Sequence, residues 1–286
     1  MKRVAPILTV LLIIIAVWYA AAIWMNATWA YDQAARAEAA APTWAELPGL
    51  TLNQDRPVLP SPHQVIAELA RSTFGLPPSS KRSLVYHAWV TISGTLMGFA
   101  MGTTLGVLLA VGIVYSRSME MSVLPWAIAS QMVPIIALAP MLAVVMHAVG
   151  ATPLMTKAVI SAYLSFFPVV VGMVKGLRSP EVMQLDLLQT YAAPGGAVFW
   201  KLRLPSSMPY FFASVKVGIA ASLVGAIVAE LNQQAGLGAR LLQGSYYGQT
   251  TQIWAALFLS AILAAVLVML AGRIEGRVLK RMGMAR

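Results

Sequence analysis

The chain has 286 residues, 59% of them hydrophobic and only 10% charged, with a formal net charge of +10 and no cysteine. Soluble domains carry roughly 25% charged residues, so this chain has too little polar surface to face water all round. The missing cysteines exclude disulfides and thiolate metal sites. In a membrane protein, an excess of Lys and Arg marks cytoplasmic faces that set orientation rather than a nucleic-acid surface.

A helix needs about 20 apolar residues to cross a hydrocarbon core of roughly 30 Å. Six segments qualify or nearly so: 6–24, 88–114, 123–149, 154–174, 211–229 and 253–271. The first follows Lys2 and Arg3 and precedes the small residues of "NATWA", as a signal peptide would. Its apolar run is longer than the 7–15 residues of a signal core, so it reads as an anchor. The expectation is an all-α integral membrane protein of six transmembrane helices. With both termini cytoplasmic, 13 of the 20 basic residues fall inside, and most of the others lie in a long loop or beside acids.

The chain is therefore organised as an anchor helix over 1–25, an outer loop over 26–87, a core of five spans over 88–272, and a basic tail over 273–286. In the outer loop, "LPSPHQVIAELARS" has a start signal at Ser61–Pro62 and apolar Val65, Ile66 and Leu69 at helical spacing. It is expected to lie along the membrane surface. Gly94, Gly98, Gly102 and Gly106 recur every four residues in the second span. Glycines so spaced share a face and let another backbone approach, within the chain or across a dimer.

Several chemistries are absent. No G-x-x-x-x-G-K-[ST] loop, H-E-x-x-H or G-x-S-x-G signature occurs, and His63, His87 and His147 are scattered. The spans are almost bare of the paired ionisable groups that chemistry or ion coupling at depth requires. Lys216, near the inner end of span five, is expected to snorkel to the interface. The chain reads as no enzyme, with no cofactor or metal of its own.

One interior stretch is mixed in character: the cytoplasmic loop at 177–209, whose heart is "LDLLQTYAAPGGAVFWKLRLPSSMPY". Ser179 reads as an N-cap, Pro180 as the first helical residue, and Glu181 sits near the positive helix end. The helix then runs to about Ala192, with Val182, Leu185, Leu188 and Ala192 on one face and Asp186 and Thr190 on another. Pro194-Gly195-Gly196 breaks it, and a second short piece, "AVFWKLRLP", stops at Pro205. A projecting broken hairpin with one greasy side suits another protein's groove.

This loop resembles that of ABC-importer permeases, E-A-A-x-x-x-G followed by nine residues and I-x-L-P. Counted back from Leu204-Pro205, Leu202 takes the Ile place, Asp186 the Glu place and Ala192 the glycine place, while Leu187 and Leu188 replace the alanines. Gly195 and Gly196 offer flexibility three residues later. "LPSPHQV", "MVPIIALAPML", "SFFPVVVGMVKGL" and "VGAIVAELNQQAGLGARL" resemble, in order and spacing, the nitrate/sulfonate/taurine-type permeases over 59–278. Where those have W-F-G-x-G after span three, this chain reads "MHAVGA".

The resemblance implies a type I importer permease in a bacterial inner membrane. It implies partners: cytoplasmic ATP-binding subunits that use ATP and Mg, a second permease copy or paralogue, and a periplasmic substrate-binding protein. Asp186, Leu188, Thr190, Ala192, Leu202, Leu204 and Pro205 would form the ATPase-coupling loop. Asp186 and Thr190 would face the ATPase, while Leu185, Leu188 and Phe199 seat the hairpin. Glu230, Gly236 and Gly238 fall where the outer gate is placed, and Glu230 reads either as part of gating or substrate passage or as a helix-end acid hydrogen-bonded locally. Tyr246 and Tyr247 read as interfacial belt residues. Apart from Lys216 near the inner end, the spans lack the buried Arg or Lys an oxyanion pore would use. "QTYAAP" and "ARLLQGSYYGQTTQIW" resemble members linked to pyrimidine-like or thiamine-precursor uptake, with sulfonate, taurine or nitrate as the alternative cargo. An ion-coupled carrier or a membrane scaffold, either without an ATPase partner, is the reading from another class.

Overall fold

The computed structural model describes residues 4–284. The basic residues Lys2, Arg3 and Arg286 of the orientation argument lie outside them. Among the described residues the chain is all-α, with twelve α-helices, one π-turn and no strand. Five helical stretches are long and apolar enough to cross a membrane: Ala5–Arg36, Leu84–Tyr115, Pro153–Leu177, Gly195–Glu230 and Thr250–Arg281.

The third expected span, 123–149, is not one helix. It is a pair, α5 (Arg117–Ser130) and α6 (Ile135–Ala148), bent by 103° at a short break. Pro134 sits at that break with extended backbone, has no N–H to give a helix, and keeps the preceding residue out of helical geometry. Six spans are therefore reached only if this bent pair counts as one.

Two compact units make up the chain: Met1–Ala88 with Ala239–Ser260, and Trp89–Gly238 with Ala261–Arg286. In the first, α1 (Val4–Arg36) continues well beyond its apolar run. Ala27 and Ala30 bury against Leu47 of α2 (Leu47–Thr51), so small helix-forming residues extend the helix as a packing surface. Asn26, fully buried, organises the segment after α2. Its Oδ1 accepts the N–H groups of Val58 and Leu59 at 2.8 and 3.2 Å, and its Nδ2 donates to the Leu59 carbonyl at 2.9 Å. A buried amide must find such partners.

Helix α3 (Pro62–Phe74) starts at Ser61 as its sequence indicates, with Gln64 Oε1 accepting the Ser61 N–H at 3.1 Å. Val65 is buried, but Ile66 is exposed and does not share its face. Trp18 meets Trp254 and Phe258 in an aromatic cluster, with centroids 5.1 and 5.7 Å away. Partial burial lowers the Arg240 guanidinium from its ordinary pKa, and the nearby Glu68 carboxylate works against that.

The second unit is built on α7 (Pro153–Leu177), which packs against both α4 (Leu84–Tyr115) and α10 (Leu204–Glu230). Gly94, Gly98, Gly102 and Gly106 of α4 all face α7. A Cβ on Gly98 would lie 2.3 Å from Ser161 Cβ, and one on Gly102 2.2 Å from Ser165 Oγ. The contact with α10 repeats the device. Gly172 and Gly176 of α7 abut Ser214 and Ser207 of α10, and Gly225 of α10 abuts Ser161. Lipid supplies no hydrophobic drive, so close backbone approach through small residues holds these helices together.

Candidate functional site

Each end of α7 carries a polar arrangement. At the Leu177 end, the chain leaves α7 and forms a hairpin: α8 (Val182–Thr190), α9 (Gly195–Val198) and a π-turn (Phe199–Arg203) running into α10. Ser179 does not cap α8; Glu181 holds that place. The Ser179 hydroxyl donates instead to the Gly176 carbonyl at 2.7 Å, satisfying one of the carbonyls that a helix end leaves open.

Helix α8 ends in a turn whose N–H groups point back: Ala192 N–H to Gln189 O at 2.8 Å and Ala193 N–H to Leu188 O at 2.9 Å. This is the six-to-one, five-to-two bonding pattern that normally has glycine in the left-handed position. Ala192 occupies that position here at φ 49°, so it makes the turn itself. The cost of a Cβ there is about 1 kcal/mol. Gly195 and Gly196 open α9 as helical residues and take no part in the turn.

The segment before Pro205 does not stop there either. Residues Gly195–Glu230 form one continuous helical stretch. Pro205 lacks an N–H and its ring crowds the carbonyl four residues back. The wider π-turn, closed by the Leu204 N–H to the Phe199 carbonyl, accommodates it.

Asp186 and Thr190 are exposed on one side of α8, while Leu188, Leu202, Leu204 and Pro205 are half-buried. Leu185 is half-buried too, but Val182 is 72% exposed and leaves the face assigned to it. Phe199 and Leu204 pack on the core formed by Ala110, Val169, Met173 and Leu177. Arg203 Nη1 donates to the Leu177 carbonyl at 2.9 Å, and its guanidinium lies 5.9 Å from the Tyr115 ring centroid. Arg178 pairs with Glu120 at 2.9 Å.

At the Lys157 end lies a buried ion pair that the sequence argument missed. Lys157 Nζ is 3.2 Å from Glu230 Oε1, with the side chains 3% and 0% exposed. Lys157 also donates to the Val90 carbonyl at 3.0 Å. Glu230 Oε2 accepts the Thr91 hydroxyl at 2.8 Å and the Gly238 N–H at 3.2 Å, and Thr91 in turn accepts the Leu237 N–H at 2.9 Å. Gly236 (φ 115°) and Gly238 are buried beside this carboxylate; a Cβ on Gly236 would come 2.0 Å from Glu230 Cδ.

Glu230 and its two glycines are thus brought together, and spans expected to be almost bare of paired ionisable groups share a pair through Lys157. The signal was present: Lys157 and Glu230 stand alone, with opposite signs, at ends of two apolar runs on the same side. Intramembrane ions pair with one another. Lys216 also has a partner, Glu275 at 2.8 Å, rather than reaching freely for the interface. No group of three His, Cys, Asp or Glu residues that could hold a metal ion occurs among the described residues.

The chain is 29% identical over 185 residues to the formylaminopyrimidine transport permease protein ThiX of Halalkalibacterium halodurans, covering 63% of this chain and 68% of that one. It is 29% identical over 223 residues to the riboflavin transport system permease protein RibX of Chloroflexus aurantiacus, covering 76% and 78%. A putative aliphatic sulfonates transport permease protein, SsuC of Bacillus subtilis, is 20% identical over 195 residues, covering 68% and 69%. Residues 102–284, which include the hairpin and the ion pair, match the family described as binding-protein-dependent transport system inner membrane component. The chain belongs to that family, as a multi-pass inner-membrane permease.

Proposed function

We propose that this permease imports a small heteroaromatic solute of the pyrimidine or thiamine-precursor kind. In this reading both termini and the α8–α9 hairpin face the cytoplasm. The hairpin seats in a cleft of an ATP-binding subunit, a second permease copy or paralogue completes the pore, and a periplasmic binding protein delivers the solute. ATP binding draws the hairpins together and shifts a two-state membrane body toward its outward-facing form. The observation that carries the coupling role is the hairpin itself. Asp186 and Thr190 stand exposed on α8, while Phe199 is anchored in the apolar core behind it.

The ion pair supports the choice of cargo. The buried cation of the spans, Lys157, is neutralised by Glu230 and so offers no free charge to an oxyanion. Glu230, Gly236 and Gly238 take the place of an outer gate, in which the carboxylate holds the loop rather than touching solute. The names of two relatives, formylaminopyrimidine and riboflavin transport, point to the same chemical class. A sulfonate cargo is favoured only by the more distant SsuC similarity.

Mild-detergent purification from the native membrane, followed by reconstitution, tests the reading. An ATP-binding subunit and a binding protein are expected to copurify, and a heteroaromatic solute to stimulate hydrolysis and uptake. Asp186→Lys is expected to keep the ATPase bound while hydrolysis no longer drives uptake. Recovery of the chain alone, with uptake driven by a proton or sodium gradient, would sink the importer assignment. Stimulation by taurine but by no pyrimidine would move the cargo to sulfonates.

A further inference from the structure

A hairpin pushed by an ATPase moves the pore only if it is mechanically joined to the spans. Its two covalent connections to α7 and α10 are not equivalent. The link into α10 passes through the π-turn, and single π-turns inside helices recur at functional sites. The other, residues 178–181, is non-helical. Force on α8 therefore reaches α7 through the packing of α10, as where Gly176 meets Ser207, and through side chains that cross to the end of α7.

Arg203 is placed to carry it. It is the last residue of the π-turn, and its guanidinium donates to the carbonyl of Leu177, the last residue of α7. That carbonyl is among the acceptors that a helix end leaves open, at the negative end of the helix dipole. The same guanidinium lies over the ring of Tyr115, the last residue of α4. Tyr115 also meets the Phe199 ring edge-on, with centroids 6.1 Å apart. One planar cation thus touches the ends of α4 and α7 from the element that carries the hairpin into α10.

We propose that Arg203 is the positioning residue that converts displacement of the α8–α9 hairpin into joint displacement of α4 and α7, with Tyr115 as its second contact. The proposal rests on the coupling role assigned to the hairpin above. A planar guanidinium suits the role because it bonds a carbonyl along its edge while stacking through its face. A lysine ammonium bonds the carbonyl but cannot do both.

The test uses the full complex, permease with its ATP-binding subunits and binding protein, in lipid vesicles. Solute transported per ATP hydrolysed is the readout, alongside copurification of the ATPase. Arg203→Met is expected to lower that ratio by about tenfold, a typical size for an allosteric coupling, while the ATPase stays bound. Arg203→Lys should fall between, Tyr115→Leu should also lower the ratio, and Tyr115→Phe, which keeps the ring, should restore it.

A wild-type ratio in Arg203→Met, with Asp186→Lys uncoupled, overturns the strut and leaves the hairpin reading standing. No ATPase on the wild-type chain overturns both. Should Arg203→Met not assemble, the conservative variants decide. A lowered ratio in Arg203→Lys with a wild-type ratio in Tyr115→Phe supports the strut, and wild-type ratios in both overturn it.

Discussion

The two ends of α7 solve the problem of polar groups near a membrane in opposite ways. At the Lys157 end, both charges are withdrawn from solvent and meet Thr91, Val90, Gly238 and each other. At the Leu177 end, the hairpin leaves Val182, Met183, Leu187, Tyr191 and Trp200 exposed together with Asp186 and Thr190. The first arrangement is complete within one chain, and a buried pair of this kind fixes geometry at some cost in desolvation. The second is unfinished by itself, as a surface built for a partner is.

The largest effect is expected from splitting the ion pair. Lys157→Met should cost about 3–5 kcal/mol, because it leaves the Glu230 carboxylate buried without its cation. The double variant Lys157→Met/Glu230→Met should lose much less than the sum of the two single losses. Denaturation midpoints in detergent measure this, and additive losses would show that the two ends differ less than the geometry indicates. Asp186→Lys, by contrast, should change the midpoint by no more than about 0.5 kcal/mol, being a surface change.

Glycine substitutions sharpen the contrast. Gly98→Leu should destabilise by about 1–3 kcal/mol or more, since any side chain there meets Ser161 and the Ala158 carbonyl. Gly195→Ala has nothing within 4 Å of its new Cβ, and as a helical residue should gain up to about 0.5 kcal/mol. Thermal scans of the two purified variants separate packed from open backbone. If Gly98→Leu matches the parent, α4 and α7 are not in the close contact described.

A neutral counterpart to the ion pair lies in the other unit. Asn26→Ala orphans the N–H groups of Val58 and Leu59 and the Leu59 carbonyl, at a cost of about 1–3 kcal/mol. Hydrogen exchange at Val58 and Leu59 should rise with it; unchanged protection would show that water replaces the amide. The last effect is again a gain. Ala192→Gly relieves the left-handed alanine and should stabilise the hairpin by up to about 1 kcal/mol. A lower melting temperature in that variant would argue that the turn at Ala192 is not strained.

Much of this architecture was legible beforehand. Apolar run length located the helices near 6–24, 88–114, 154–174, 211–229 and 253–271, and glycine spacing marked the packed face of α4. The hairpin was legible because Pro194 and the mixed composition around it interrupt otherwise uniform apolarity. Pairings between distant residues were not. Lys157 and Glu230 stand out as lone charges at the ends of apolar runs, but nothing in the local pattern says that they face each other across 73 positions, or that Asn26 will be met by the segment near Leu59. The break at Pro134 was misjudged because hydropathy averages over a residue whose effect is steric.

Composition and run length by themselves determined that this is a multi-span helical membrane protein, because transfer of backbone into lipid depends only on local apolarity and helix length. Tertiary structure alone decided where the charges pair, which helix the glycines face and how Arg203 spans α4, α7 and the hairpin. Those outcomes depend on which backbones approach closely and at what depth, and one-dimensional patterns do not encode distance between segments.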